Sequence, residues 1–209
     1  AALVMFGVEQ TMGWRIALIV PGVMMLIVGF LYWKFTQDCP QGDFKALRAQ
    51  GVVVGSDKKG GLAILMHAAR NYRVWILFFS YAACFGIEIF IHNIIAMYYV
   101  EHFSFGLKEA GLAAGIFGLL ALFARALGGI LSDKVALKKG LDGRTKVLFG
   151  LILGEGLFLM LFSQMNGPVL AILVMTVFAL FTHMACGATY ALVPFIDREA
   201  LGGVAGIIG

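Results

Sequence analysis

Apolar positions along this chain come in long runs interrupted by glycine, with no regular alternation of apolar and polar residues. That pattern predicts helices rather than barrel strands. A helix needs about 20 apolar residues to cross a bilayer. By that measure spans are predicted over about 13–34, 74–100, 109–131, 146–164 and 168–194, with a further one starting near 201. Residues 1–8 have the character of the tail of an earlier span. One long polar stretch interrupts the series, "KFTQDCPQGDFKALRAQGVVVGSDKKGG" (Lys34–Gly61). After it, "LAILMHAARNYR" (Leu62–Arg73) suits an amphipathic helix on the membrane surface and equally a helical lead-in to the next span.

The 209 residues are 61% hydrophobic and 13% charged, whereas soluble domains hold about 45–50% apolar and about 25% charged residues. An integral, multi-pass, all-α membrane protein is expected, and a soluble enzyme is excluded. Cys39, Cys84 and Cys186 are odd in number and scattered, with neither a disulfide framework nor metal-ligand spacing. No nucleophile–base or cofactor motif is visible and no signal peptide opens the chain, so neither cofactor nor metal is expected. The net charge of +4 bears on loop topology rather than on nucleic acid. The chain starts inside an apolar run without Met and stops within "GGVAGIIG"; it is expected to be a fragment of a longer protein.

Basic residues set the orientation. Lys34, Lys45, Arg48, Lys58, Lys59, Arg70 and Arg73 crowd the polar stretch and its borders, and "SDKVALKKGLDGRTK" carries Lys134, Lys138, Lys139, Arg144 and Lys146. The intervening loops hold only Lys108 and, between Gln164 and Pro168, no charge. Basic loops stay in the cytoplasm, and the alternation closes with five complete spans, leaving Arg198 in the next cytoplasmic loop.

Arg125, Glu88 and Glu155 are ionisable groups inside predicted spans, with His92 and His183 as weaker cases. An arginine at that depth costs about 2.5 kcal/mol or more on insertion scales. Tyr81, Phe85, Glu88 and His92 share one helical stripe. An aromatic stripe alone is ordinary packing, but a carboxylate and an imidazole in it point to a polar cavity. At 1.5 Å per residue, Tyr81 lies roughly 10 Å in from Val74, Arg125 roughly 9 Å in from Leu131, and Glu88 roughly 21 Å in. These depths match Tyr81 with Arg125 and argue against a Glu88–Arg125 ion pair. Arg125 is then either paired or snorkelling for structural reasons, or free to bind an anion through its planar donor fork. Gly111, Gly115 and Gly118 suit close helix packing. Glu155, inside "GEG", suits a structural carboxyl as well as a transport role.

At "ARALGGILSDKVALKKGLDGR" the chain resembles the loop motif of the major facilitator superfamily, with Gly129 and Asp133 in place and Lys134 and Arg144 as its basic elements. The spacing before Arg144 is longer than in the compact motif. "FARALGG", "SYAACFG", "MGWRIALIVPGVMMLIVGFLYWKFTQDCPQGD" and the closing "CGATYALVPFIDREALGGVAGIIG" together resemble the nitrate/nitrite porter family, over essentially the whole chain. The resemblance implies a partial major facilitator fold, from the sixth to the start of the eleventh of twelve spans. Residues 1–34 would end the N-terminal half, 35–73 would be the cytoplasmic linker, and 74–209 an incomplete C-terminal half. It further implies nitrate or nitrite as substrate, with Arg125, Tyr81, Phe85 and the glycines Gly206 and Gly209 at the site, and a second arginine in the absent half. Proton coupling is implied for the eukaryotic members; Glu88 is then the first candidate carrier and His92 the second. An exchanger, a carrier of another small anion, a non-transporting sensor and a membrane scaffold are the alternatives. The expected surroundings are the lipid bilayer of the plasma membrane; an accessory subunit is left open.

Overall fold

A computed structural model describes residues 10–38, 42–50 and 60–209. Cys39, Lys58, Lys59 and the segment 1–8 lie outside the described residues. The chain divides into two compact units, Ala1–Lys59 and Gly60–Gly209. In the first, α1 (Gln10–Phe35) is apolar along its length and carries Pro21 inside it, and α2 (Phe44–Ala49) is a short helix.

The second unit holds α3 (Gly61–Ala69), α4 (Tyr72–Phe103), α5 (Leu107–Phe162), α6 (Pro168–Ile196) and α7 (Leu201–Ile208). No strand occurs among the described residues. Helices α1, α4, α5 and α6 are long and apolar enough to cross a membrane.

The segment Leu62–Arg73 is not a continuous lead-in. Helix α3 stops at Ala69, and Asn71 starts α4 afresh by accepting the Arg73 N–H on its side chain at 3.1 Å, the usual work of an N-cap. Helix α3 docks on α7, where Ala68 is buried and a Cβ at Gly203 would stand 2.7 Å from the Ile64 carbonyl oxygen. Asp197 secures this corner twice. Its Oδ1 accepts the N–H groups of Glu199 and Ala200, while Oδ2 lies 3.2 Å from His67 Nε2.

Helix α5 corrects the expected loop between the spans at 109–131 and 146–164. Its 56 residues would stretch about 84 Å as one straight helix, far beyond a bilayer. The chain instead reverses at Gly140, whose φ of 61° and ψ of −148° fall in a region open essentially to glycine alone. Across the reversal Arg144 Nη1 meets Asp133 Oδ1 at 2.5 Å. The stretch "SDKVALKKGLDGRTK" is therefore helical on both sides of Gly140 rather than a loop between 131 and 146. Lys, Ala and Leu are good helix formers, so the first arm (residues 107–139) continues past the end of its apolar run. Gly140→Ala is expected to cost about 1–3 kcal/mol, visible as a lower unfolding temperature in detergent; an unchanged temperature would show that the reversal does not depend on this backbone.

The first arm of α5 crosses α6 in direct backbone contact. A Cβ at Gly128 would fall on the Met184 carbonyl, and one at Gly187 on the Arg125 carbonyl. Small residues permit such approach in membranes. Two of the glycines expected to do this lie elsewhere: Gly115 is exposed, with no described residue near its Cβ position, and Gly118 faces the His92 ring. Apolar side chains gather into two clusters, one around Tyr81, Leu148, Leu192 and Val204, the other around Ile95, Tyr99, Phe117 and Phe178.

Candidate functional site

Helix α4 buries Val74, Leu77, Tyr81, Cys84, Glu88, Ile91, Ile95 and Tyr99, steps of three and four that trace one helical face. Glu88 falls at the boundary between the two apolar clusters, since Cys84 belongs to one and Ile91 to the other. His183 occupies the same boundary on α6, between Ala179 and Ala185. Arg125 reaches this layer from the first arm of α5.

There Arg125 and Glu88 meet. Nη2 of Arg125 lies 2.7 Å from Oε1 and 2.8 Å from Oε2 of Glu88. The depth count that separated them is corrected by the course of α5. The first arm runs to Lys139, not Leu131, so Arg125 stands roughly 21 Å from the end of its arm, as far as Glu88 stands from Val74 near the start of α4. Nor is Arg125 wholly free for an anion: one terminal nitrogen is committed to the carboxylate. The rest of the guanidinium makes no hydrogen bond among the described residues, and its Nε is buried without a partner. The side chain is 39% exposed, against 7% for Glu88.

Glu88 is a hub. Cys186 Sγ donates to Oε2 at 3.6 Å, and His183 Nδ1 lies 3.4 Å from the same oxygen. An ion pair broken on one side in such a place costs about 3–5 kcal/mol, so the carboxylate and the guanidinium are mutually required unless another ion replaces one of them.

The aromatic residues of the stripe assemble on the open side of Arg125. Its guanidinium carbon lies 5.8 Å from the Phe85 ring centroid, within cation–π range. Phe85 stacks on Tyr81 at 5.3 Å with the planes 9° apart. Tyr81 is itself buried, edge-on to Tyr190 at 5.2 Å. Gly209 closes this end: its carbonyl accepts from the Tyr190 hydroxyl at 3.4 Å, and a Cβ on it would stand 2.8 Å from Tyr81 Cε1. Gly206 is exposed with open space around it and is not brought to this group by the described residues. His92 lies apart from the Arg125–Glu88 pair, edge-on to Phe117 at 4.8 Å.

Glu155 is buried on the second arm of α5 beside Cys84 and Thr182, with Oε1 unpartnered among the described residues. Of the loop-motif residues, Asp133 and Arg144 meet across the α5 reversal. Arg144 bonds Asp133 and lies over the Phe195 ring at 4.7 Å, Lys134 is exposed, and Gly129 is half-buried near Gly187. Sequence reasoning treated His183 as a minor case and passed over Cys186 and Tyr190. The available signal was a cluster of polar groups, "THMACGATY", in an otherwise apolar run.

A bundle of long apolar helices that brings an arginine, a carboxylate and an imidazole together within its apolar segments is an integral, multi-pass membrane protein. The model of the Major Facilitator Superfamily matches residues 1–209, and the chain belongs to that family. Similar proteins include the high affinity nitrate transporter 2.5 of Arabidopsis thaliana, 36% identical over 97% of this chain. Nitrate transporter 2.2 of Chlamydomonas reinhardtii is 34% identical over 97%. The nitrate/nitrite transporter NrtP of Nostoc punctiforme is 23% identical over 94% of the chain and 52% of its own length. The chain spans 40% of the length of the first two. No solved structure matches.

Proposed function

We propose that this chain is part of a carrier that moves nitrate, and nitrite as its close analogue, across the plasma membrane by alternating access, driven by protons. The observation that carries the reading is Arg125: a guanidinium within the membrane, half open, with one nitrogen committed and a donor edge still unused beside an aromatic stack. Nitrate is planar and singly charged, and a planar fork with an aromatic face suits it. The names of the similar proteins support the choice of anion. Residues 35–73 would link the halves of the carrier, with substrate held between them near the midplane.

Nitrate entering against an inside-negative potential meets about 2.3 kcal/mol per charge per 100 mV, so an accompanying cation is required for accumulation. Glu88 is the carboxylate placed to register it, because among the described carboxylates it alone touches Arg125; His92, turned onto Phe117, is the weaker candidate. Gly209 sets the position of Tyr81, and the Asp133–Arg144 pair would hold the cytoplasmic end of α5 together, with Lys134 exposed beside it.

The test is uptake by the full-length protein in proteoliposomes under an imposed pH gradient. Nitrate accumulation together with lumenal acidification is expected, with nitrite competing. Counterflow without net accumulation would make the protein an exchanger, and binding without movement a sensor.

A further inference from the structure

His183 is fully buried, at 0% exposure. Its Nε2 lies 3.1 Å from the Phe117 carbonyl oxygen. A carbonyl only accepts, so Nε2 carries the hydrogen. In a neutral imidazole the other nitrogen then bears a lone pair. That nitrogen, Nδ1, faces Glu88 Oε2 at 3.4 Å and has no hydrogen-bond partner among the described residues. An ionised carboxylate oxygen is likewise an acceptor only. Two lone pairs thus face each other in a buried place, where an unmet polar group is costly. One added proton removes the conflict, whether Nδ1–H donates to Oε2 or Oε2–H donates to Nδ1. Both placements make the same bond, so the proton belongs to the pair.

We propose that the coupling proton binds between His183 Nδ1 and Glu88 Oε2, which makes His183 a proton-holding residue of the carrier. This rests on the proton-driven anion reading above and specifies where the proton sits. Without the proton, Arg125 and Glu88 cancel and His183 is neutral. With it the trio carries one net positive charge, and the guanidinium is left uncompensated for an anion. Proton and nitrate then raise each other's affinity by the same factor, as linkage requires.

The other titratable groups around His183 are His92 on α4, Glu155 on the second arm of α5 and Cys186 on its own helix, with Cys84 beside Glu155. None supplies the partner that Nδ1 lacks. The thiol of Cys186 points to Glu88, His92 packs on Phe117, and α7 contributes no charged residue.

The test is calorimetry of nitrate binding to the full-length protein in buffers of different ionisation enthalpy, repeated over a series of pH values. Wild-type protein is expected to take up about one proton per nitrate bound, with affinity weakening by up to about tenfold per pH unit at the alkaline end. In His183→Gln the side-chain amide N–H keeps the bond to the Phe117 carbonyl but offers nothing that titrates. Nitrate should still bind, with no proton uptake and little pH dependence. Glu155→Gln should keep the wild-type uptake. Unchanged uptake in His183→Gln, or its loss in Glu155→Gln, overturns the proposal. Should His183→Gln fail to fold, wild-type protein with 15N-labelled histidine decides: one buried Nδ1 must gain hydrogen-bonded proton character on adding nitrate, and its absence overturns the proposal. Nitrate binding without proton uptake in the wild type refutes this inference alone; no nitrate binding at any pH refutes the anion reading and this with it.

Discussion

Arg125→Lys in the full-length protein is expected to abolish nitrate uptake while the protein still reaches the membrane. The guanidinium performs two tasks at once. Nη2 straddles both oxygens of Glu88, and the remaining nitrogens keep a donor edge for the anion. A lysine ammonium can repeat the first contact, but it is a compact charge with no second edge. The bond lost to the anion is worth about 3 kcal/mol at most for a charged group left unpaired, a fall on the order of 100-fold. The backbone at Arg125, which touches Gly187, is unchanged by the substitution, so folding is expected to survive. Uptake at normal surface levels measures the effect; wild-type rates would make Arg125 a structural partner of Glu88 and nothing more.

The number of long apolar segments and the shared face of Tyr81 and Glu88 were legible because they depend on composition and on the helical repeat. The depth of Arg125 was not. Its apolar run ends near Leu131, yet the helix continues to Gly140, because Lys134, Lys138 and Lys139 are helix formers that water also welcomes. The end of an apolar run marks the membrane boundary; the end of a helix is set by backbone, here by a positive φ at Gly140. Counted between helix ends, from Lys139 rather than from Leu131, the register lengthens by about 12 Å and sets Arg125 level with Glu88.

The role of His183 was hidden for another reason. A histidine in an apolar run reads the same whether its ring is satisfied or waiting for a proton. Only the Phe117 carbonyl, 66 residues away in the chain, fixes which nitrogen holds the hydrogen, and that is a property of helix packing. The crossing of α5 and α6 at Gly128 and Gly187 was hidden likewise, since neither glycine differs locally from Gly115, which faces open space.

Glu88→Gln separates the coupling role from a merely structural one. An amide can turn its oxygen to Arg125 Nη2 and its N–H to the lone pair of His183 Nδ1, so it reproduces the shape of the protonated pair. It cannot reproduce the charge. Arg125 is left uncompensated, and breaking a buried pair on one side costs about 3–5 kcal/mol, reduced here because Arg125 is 39% exposed and partly screened. Without anion the variant should therefore unfold at a clearly lower temperature than the wild type. Nitrate supplies the missing negative charge and should restore more stability to the variant than it gives the wild type. Proton-driven accumulation should fail, since the carboxylate that exchanges charge with the anion is gone. A structural Glu88, serving only as a hydrogen-bonding support, predicts the opposite on both counts: an amide costs little, and nitrate stabilises variant and wild type alike. An unfolding temperature near that of the wild type, with lumenal acidification at the wild-type ratio, would remove Glu88 from the coupling mechanism and leave its contact with Arg125 as packing.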